Sequence, residues 1–230
     1  RGEHGKALPL YEECFNVRKV EFGDHHTLTL SSLNSLGCLY AKIGEYEKAL
    51  LLYEECLKMR KIVLGDNHPD TLQSLSNLAS LYDNRGEHGK ALPLYEKCLN
   101  VRKVEFGDHH TLTLSSLNSL GCLYAKIGEY EKALLLYEEC LKMRKIVLGD
   151  NHPDTLQSLS NLASLYDNRG EHGKASLLQE ECLTRRKIVL GENHPDTLQY
   201  LSNLAISYDF LGDFGKALPL YEDCLRMRKN

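Results

Sequence analysis

Apolar residues recur every three or four positions along this chain. In one stretch they are Leu72, Leu75, Leu78, Ala79 and Tyr82, and in the next they are Ala91, Leu94, Tyr95, Cys98 and Val101. This spacing places the apolar side chains on one face of an α-helix, whereas strands would alternate with a period of two. The pattern therefore predicts two successive amphipathic helices, which we call helix A and helix B.

Turn residues predict where these helices begin and end. The segment 67–70, Asn-His-Pro-Asp, favours the start of helix A, because proline suits the first turn and aspartate there meets the positive end of the helix dipole. Gly86 ends helix A, and Gly107 ends helix B at a position where a left-handed residue is expected. Helix B is then about 20 residues long, or roughly 30 Å.

Proline lies inside helix B at three equivalent positions, Pro9, Pro93 and Pro219. A proline in a helix interior removes one backbone hydrogen bond and costs about 3 kcal/mol. We therefore expect a kink or a late helix start, and Gly89, four residues before Pro93, would ease the clash with the proline ring.

The two-helix unit repeats with a period of 42 residues, marked by Gly23, Gly65, Gly107, Gly149 and Gly191. A second period of 84 lies over it, since residues 1–84 and 85–168 differ only at Glu13 against Lys97 and Phe15 against Leu99. Such identity indicates recent duplication or deliberate design. The residues that differ from this repeat are concentrated after residue 175, at Ser176, Gln179, Thr184, Tyr200, Ile206, Phe210 and Phe214.

A single helix pair cannot bury its apolar stripe, so each pair is expected to pack on the next. The sequence predicts an all-α solenoid of antiparallel helix pairs with about 11 helices, forming one domain over residues 1–230. A lone helix B in residues 1–26 is followed by repeats at 27–68, 69–110, 111–152, 153–194 and 195–230.

Composition and charge narrow the class of protein. The chain is 42% hydrophobic and 26% charged, which suits a folded domain, and its net charge of −4 gives no field that would attract nucleic acid. No apolar run reaches the roughly 18 residues of a membrane span, and no signal peptide opens the chain. We expect a soluble protein with no nucleic acid or membrane partner, represented here by a fragment, since the chain begins and ends within the repeat pattern.

The cysteines follow the repeat. Six of the eight occur every 42 residues, at Cys14, Cys56, Cys98, Cys140, Cys182 and Cys224. Stacked helix pairs lie about 10 Å apart, beyond the roughly 7 Å between Cα atoms that a disulfide allows. These cysteines are expected to act as small buried hydrophobic residues in a reducing, cytoplasmic compartment.

Histidine could indicate metal binding, above all in the pairs His25-His26 and His109-His110. We place the histidines in the loops between repeats, without a cluster of cysteine or carboxylate ligands beside them. The five copies of the turn sequence are spread along the array, whereas catalysis needs groups that converge in one pocket. The sequence predicts no metal site, no cofactor, no catalytic residue and no enzyme activity.

One motif resembles a known family. The order Leu33-x2-Leu36-Gly37-x2-Tyr40, followed by Ala49-x3-Tyr53-x2-Cys56, resembles the tetratricopeptide repeat, with leucine for its tryptophan, no closing proline and 42 residues instead of 34. The length and the segment 193–197 resemble the repeats of kinesin light chains. The resemblance implies a right-handed superhelix with a concave groove lined by A helices, and the small Gly37 and Ala49 imply a close contact between helices A and B.

The polar side of helix A is the candidate site, because the resemblance turns it toward the groove. Asparagine suits this place, since its amide both donates and accepts hydrogen bonds and can pair with the backbone of an extended peptide. The predicted groove residues are Ser31, Asn34, Lys42, Gln73, Asn77, Ser80, Asn84, Asn118, Lys126, Asn161 and Asn203. The alternative is that these residues form a merely solvated helix face.

Three functions remain open at this point. The first is a protein-protein interaction scaffold that binds a peptide or partner protein in the groove. The second is a structural or self-associating array, associating end to end through its uncapped terminal helices, or an engineered array without a ligand. The third is the sensor arm of a larger multidomain protein. Because only Lys42 and Lys126 supply positive charge in the groove, the sequence argues against recognition of a C-terminal carboxylate.

Overall fold

A computed structural model describes residues 2–227 of the chain, and within them it contains eleven α-helices and no β-strand. The predicted all-α class is confirmed. B helices alternate with A helices, beginning with a B helix. The helices are α1 (Gly2–Phe22), α2 (Thr27–Ile43), α3 (Tyr46–Leu64), α4 (Pro69–Asn84), α5 (His88–Phe106), α6 (Thr111–Lys126), α7 (Tyr130–Leu148), α8 (Pro153–Asn168), α9 (His172–Leu190), α10 (Pro195–Phe210) and α11 (Phe214–Met227).

The helices fall into two compact units. The first unit, Arg1–Gly107, contains α1–α5, and each helix packs on the next, while α2 also contacts α4. In the second unit, Asp108–Asn230, α6–α11 pack in the same sequential way and α6 also contacts α8. In the first unit, α2 and α4 therefore each lie against the B helices before and after them, and in the second unit α8 and α10 do the same.

Each A helix begins beside a histidine. Helix α4 starts at Pro69, as the turn sequence predicted, and the side chain of the preceding His68 accepts a hydrogen bond at Nδ1 from the backbone N–H of Asp70, over 3.1 Å. This bond satisfies one of the backbone donors left free at a helix start. The same N-cap bond forms at His26, His110, His152 and His194.

Five B helices end at a glycine with positive φ, as predicted, but four of these glycines are not in the left-handed helical conformation: Gly65, Gly107, Gly149 and Gly191. Gly107 has φ 83° and ψ 170°, and its N–H binds the carbonyl of Lys103. This combination is essentially restricted to glycine, because a Cβ would clash with the backbone. The left-handed conformation itself occurs at Gly44, which ends helix α2 with φ 89° and ψ 4°.

Helices A and B approach closely at small residues, as the sequence predicted. Ala49 is fully buried, and a Cβ added to Gly37 would lie only 2.8 Å from Cε1 of Tyr53. The second unit repeats this contact, with Gly121 against Tyr137. Neither tyrosine ring can move aside, since both are 3% exposed.

Five of the six periodic cysteines are buried, as expected: Cys56, Cys98, Cys140, Cys182 and Cys224. The prediction is wrong for Cys14, which is exposed, because α1 is a B helix without an A helix of its own repeat to cover it. All eight cysteines are free thiols. The buried ones also donate hydrogen bonds, as Cys56 does to the carbonyl of Leu30 over 3.3 Å.

Of the two expectations for the proline in helix B, the late helix start is wrong for α5, while the kink stays a prediction. The helix begins at His88, five residues before Pro93, and the carbonyl of Glu87 accepts from the N–H groups of Lys90 and Ala91. Pro93 is exposed, so its ring meets solvent on the outer side. The first turns form without the N–H that Pro93 lacks, because that group would bind only the carbonyl of Gly89.

Replacing Gly37 with leucine is expected to lower the free energy of unfolding by about 1–3 kcal/mol, since overpacking would force the Tyr53 ring out of place. Chemical denaturation measures the change. No atom, the Pro93 ring included, lies within 4 Å of a Cβ at Gly89, so the expectation that Gly89 relieves a clash with that ring is wrong. Gly89→Leu is therefore the matched control, and leucine should stabilise the helix by up to about 1 kcal/mol. Equal losses in the two variants would disprove the close contact.

Pro93→Ala is expected to raise the free energy of unfolding by up to about 3 kcal/mol, because alanine restores an N–H that can bind the Gly89 carbonyl. The equivalent residue in α3 is Leu51, which is 68% exposed, and Leu51→Ala should change stability by no more than about 0.5 kcal/mol. Thermal melts of both variants provide the comparison. A melting temperature of Pro93→Ala at or below that of the parent protein would contradict the prediction.

Candidate functional site

The asparagine side chains of neighbouring A helices are hydrogen-bonded to each other in the first unit. Nδ2 of Asn77 on α4 donates to Oδ1 of Asn34 on α2 over 3.0 Å, and also to Sγ of Cys38 over 3.7 Å. Gln73 donates to Oδ1 of Asn77 over 2.9 Å, one turn earlier on the same helix. Asn34 and Asn77 are both half-buried. Three of the predicted site residues thus form one amide network.

The second unit contains the same network. Asn161 on α8 donates to Oδ1 of Asn118 on α6 over 2.8 Å and to Sγ of Cys122 over 3.7 Å. Gln157 donates to Oδ1 of Asn161 over 2.8 Å. On α10, Asn203 accepts from Gln199, but its Nδ2 group makes no hydrogen bond within the described part of the chain. Asn203 therefore differs from Asn77 and Asn161, which donate to the preceding A helix.

These bonds determine which amide groups remain for a ligand. Both N–H groups of Asn77 have acceptors, so its remaining capacity is one lone pair on Oδ1. Asn34 retains a second lone pair on Oδ1 and one N–H, since its only donated bond is a long contact of 3.9 Å to Cys38. Together, Asn34 and Asn77 still offer one donor and two acceptor positions. The donor and one of the acceptors belong to Asn34.

The other predicted residues do not join this network. Ser31 donates to the carbonyl of Thr27 within its own helix over 2.9 Å. Lys42, Ser80 and Asn84 are exposed, and their side chains make no hydrogen bond or ion pair within residues 7–226. Lys126 is exposed at the end of α6.

Buried arginines fix the A helices, and sequence reasoning missed them. Nη1 of Arg60 on α3 donates to the carbonyl of Asp70 over 2.7 Å and to Oγ of Ser74 over 2.9 Å, at the start of α4. Charged donors make hydrogen bonds that contribute about 1.5–3 kcal/mol. The signal was available in the 42-residue spacing of Arg18, Arg60, Arg102, Arg144 and Arg186.

Tyrosines near the ends of α2, α4, α8 and α10 link each of these A helices to the B helix before it. The hydroxyl of Tyr40 donates to Oε1 of Glu12 over 2.7 Å, and Lys48 lies 5.3 Å from the centre of the Tyr40 ring. The hydrogen bond to Glu12 raises the pKa of Tyr40, so the hydroxyl stays a donor. Equivalent bonds join Tyr82 to Glu54, Tyr166 to Glu138 and Tyr208 to Glu180.

Three buried cysteine thiols have a shifted pKa. Burial raises the pKa of the Cys56, Cys98 and Cys140 thiols, which keeps them protonated. Among the described residues, no three His, Cys, Asp or Glu side chains are grouped to hold a metal ion. The placement of all histidines in loops was wrong, because His88 and His172 begin α5 and α9.

Within the described part of the chain, no helix is both long enough and apolar enough to cross a bilayer.

The sequence matches family profiles over most of its length. A profile described as tetratricopeptide repeat matches residues 1–62, 60–103, 70–146 and 178–230, and a second profile with the same description matches residues 155–196. The search of curated proteins found no match.

Among solved structures, the nearly identical TPR-like repeats of a Podosopora anserina protein assigned as a kinesin light chain are 26% identical. That match covers 86% of this chain and 94% of the other, with a TM-score of 0.77. BtubC (BKLC) from P. vanneervenii is 23% identical over 98% and 91% of the two chains, with a TM-score of 0.86. The apo form of RapI is 14% identical over 99% and 92%, with a TM-score of 0.69. The last two similarities concern the fold alone.

Proposed function

Because this chain belongs to the tetratricopeptide repeat family, we propose that it is a scaffold that binds an extended segment of a partner protein on its A helices. Repeats of this family indicate a role in protein-protein interaction. The similarity to the TPR-like repeats of a protein assigned as a kinesin light chain supports the same class of function. The eight free cysteines support a reducing compartment such as the cytoplasm.

The observation that carries the proposal is the pairing of asparagine amides across neighbouring A helices. The bonds from Asn77 to Asn34 and from Asn161 to Asn118 hold each amide plane in one orientation. A preoriented group loses less conformational entropy when a ligand binds. The N–H and oxygen left on Asn34, and on its equivalent Asn118, match the alternating C=O and N–H groups of an extended backbone.

The 84-residue period determines what kind of ligand suits the A-helix surface. Each unit carries one copy of the amide network, with the same residue types at the same spacing. Backbone recognition by amides is tolerant of side-chain sequence. Two such copies would be matched by a partner that presents two extended segments.

The test begins with peptides selected from a random display library against the chain. Asn34→Ala combined with Asn118→Ala is expected to weaken their binding by about 5- to 150-fold, because two hydrogen bonds of about 0.5–1.5 kcal/mol each, about 1–3 kcal/mol together, are lost. Fluorescence anisotropy with a labelled peptide measures the affinity.

Asn100→Ala is the matched control, since Asn100 is an exposed asparagine on the B helix α5, and its affinity should equal that of the parent chain. Thermal melts verify that all variants are folded. The proposal fails if the double variant binds as tightly as the control, or if the library yields no peptide that binds saturably.

Self-association is a second candidate function, favoured by apolar side chains left uncovered on the last two helices. Phe210 is 70% exposed and Phe214 is 67% exposed, and Leu218 on α11 is also largely exposed. At the positions equivalent to Phe210 and Phe214, the preceding repeat has Asn168 and His172. The last repeat thus replaces two polar residues with phenylalanine, which suits an apolar contact with a second copy.

Light scattering after gel filtration tests this candidate. The parent chain should show a mass that rises with protein concentration. Phe210→Asn combined with Phe214→His restores the residues of the preceding repeat and should give a monomer at every concentration. A parent chain that is monomeric throughout, or a variant with the same mass profile, would exclude this contact.

A further inference from the structure

A small cavity, partly open to solvent, lies in the second unit where α8, α9 and α10 meet. It is lined by Ser160, Ala163, Ser164, Gln179, Cys182, Tyr200 and Asn203. Its volume is about 40 Å³, compared with the about 10–15 Å³ that one water molecule requires. Ser164 is exposed and Asn203 is half-buried, so the cavity lies on the side of the A helices that the proposed function uses.

The cavity exists because the last repeats depart from the array at two positions. Gln179 occupies the place of Tyr137, which in the preceding repeat packs against Gly121. Tyr200 occupies the place of Ser158, the residue to which Arg144 donates. The shorter Gln179 side chain leaves space that a tyrosine ring would fill.

Tyr200 is held in its new place by an arginine. The guanidinium of Arg186 lies 3.9 Å from the centre of the Tyr200 ring, and Nε of Arg186 donates to Sγ of Cys182. A guanidinium over an aromatic ring is attracted by the negative face of the ring. Tyr200 therefore forms a fixed wall of the cavity.

Polar groups without partners line the cavity. Gln179 is only 5% exposed, and its Nε2 donates to Asp167 over 2.7 Å, but its buried Oε1 has no hydrogen-bond partner. A buried acceptor without a partner destabilises the fold, and a ligand that donates to it removes that cost. On the other side, Nδ2 of Asn203 is a donor with no acceptor in the described part of the chain. The lining thus includes an acceptor without a donor, Gln179 Oε1, and a donor without an acceptor, Asn203 Nδ2.

We propose that this cavity receives a serine or threonine side chain of a bound polypeptide, whose hydroxyl donates to Gln179 Oε1 and accepts from Asn203 Nδ2. The proposal rests on the proposed function of the A-helix surface. A hydroxyl is the small group that donates and accepts at a single atom. An ammonium group could not accept from Asn203, and an aliphatic side chain would leave Gln179 Oε1 without a partner.

Such a pocket would fix the position of a bound peptide along the array. The amide networks of the two units are alike and would hold a backbone at either copy. A pocket that occurs at α8–α10 and is lined by Gln179 and Tyr200 selects one residue of the ligand at one place. Sites built to hydrogen-bond a hydroxyl discriminate strongly against analogues that lack it.

The first experiment does not depend on a selected ligand. N-acetyl-threonine-N-methylamide is titrated into the labelled chain, and the side-chain amide signals of Gln179 and Asn203 are followed by NMR. Both signals should shift saturably at millimolar concentration, whereas the valine analogue, which has nearly the same shape, should leave them unchanged. Equal responses to the two compounds, or no response to threonine, mean that the cavity holds water only and overturn the proposal.

The second experiment uses peptides selected by display. They should carry serine or threonine at one fixed position, and its replacement by alanine or valine should weaken binding about tenfold, equivalent to about 1.4 kcal/mol. In the variant Gln179→Tyr with Tyr200→Ser, which restores the residues of the other repeats, the same replacement should have no effect. A thermal melt verifies the fold of this variant.

The outcomes separate this proposal from the proposed function. Peptides that bind through Asn34 and Asn118 without a preference for serine or threonine would uphold the scaffold and overturn the pocket. A hydroxyl effect of equal size in the parent chain and the variant would also overturn it. If the library yields no peptide, the scaffold fails, and the NMR titration alone decides whether the pocket accepts a hydroxyl.

Discussion

In the repeats that carry glycine on helix A, a tyrosine of helix B lies directly against that glycine, and this contact sets how closely the two helices approach. At Gly37 the Tyr53 ring occupies the space where a Cβ would be, and the ring is buried on its other side. Interiors packed at this density do not absorb an extra carbon without movement. The positions of α2 and α6, and so of Asn34 and Asn118 on them, depend on this contact.

A second constraint orients the A helices along their length. The buried guanidinium of Arg144 binds the Asp154 carbonyl and the Ser158 hydroxyl at the start of α8. At the same helix start, His152 caps the N–H of Asp154. These bonds come from the preceding helix and from the turn, so the first turn of the A helix is fixed before any ligand binds. Asn161, two turns further along, inherits that orientation.

Local patterns were sufficient to predict the helices, because the spacing of apolar residues and the turn residues act within a few positions. Pro69 and Gly107 mark helix ends where the sequence placed them. Side-chain partners were harder to predict. Asn77 binds Asn34 across 43 residues, and that bond depends on the distance between stacked helices, which no local pattern contains. The sequence identified the asparagines as a set but not the bonds among them.

The ψ angle of Gly107 and the N-cap role of His68 were missed for a different reason. Glycine at a helix end is compatible with several conformations of positive φ, and the next helix determines which one occurs. Histidine is an uncommon N-cap residue, so composition gave no reason to assign it that role. Both features are set by how one repeat meets the next.

Repetition also limits what such a protein can distinguish. Identical repeats give identical surfaces, and a ligand that binds one copy binds the next copy equally well, so specificity requires a place where the copies differ. Gln179 and Tyr200 lie 21 residues apart on different helices, yet both line one cavity. Changing the tyrosine to glutamine alone would leave a void, and changing the serine to tyrosine alone would remove the acceptor used by the arginine. When both changes are present, the ring of Tyr200 gives Arg186 a new partner. The space left by the missing tyrosine is then a polar pocket, so the two substitutions act as one structural change.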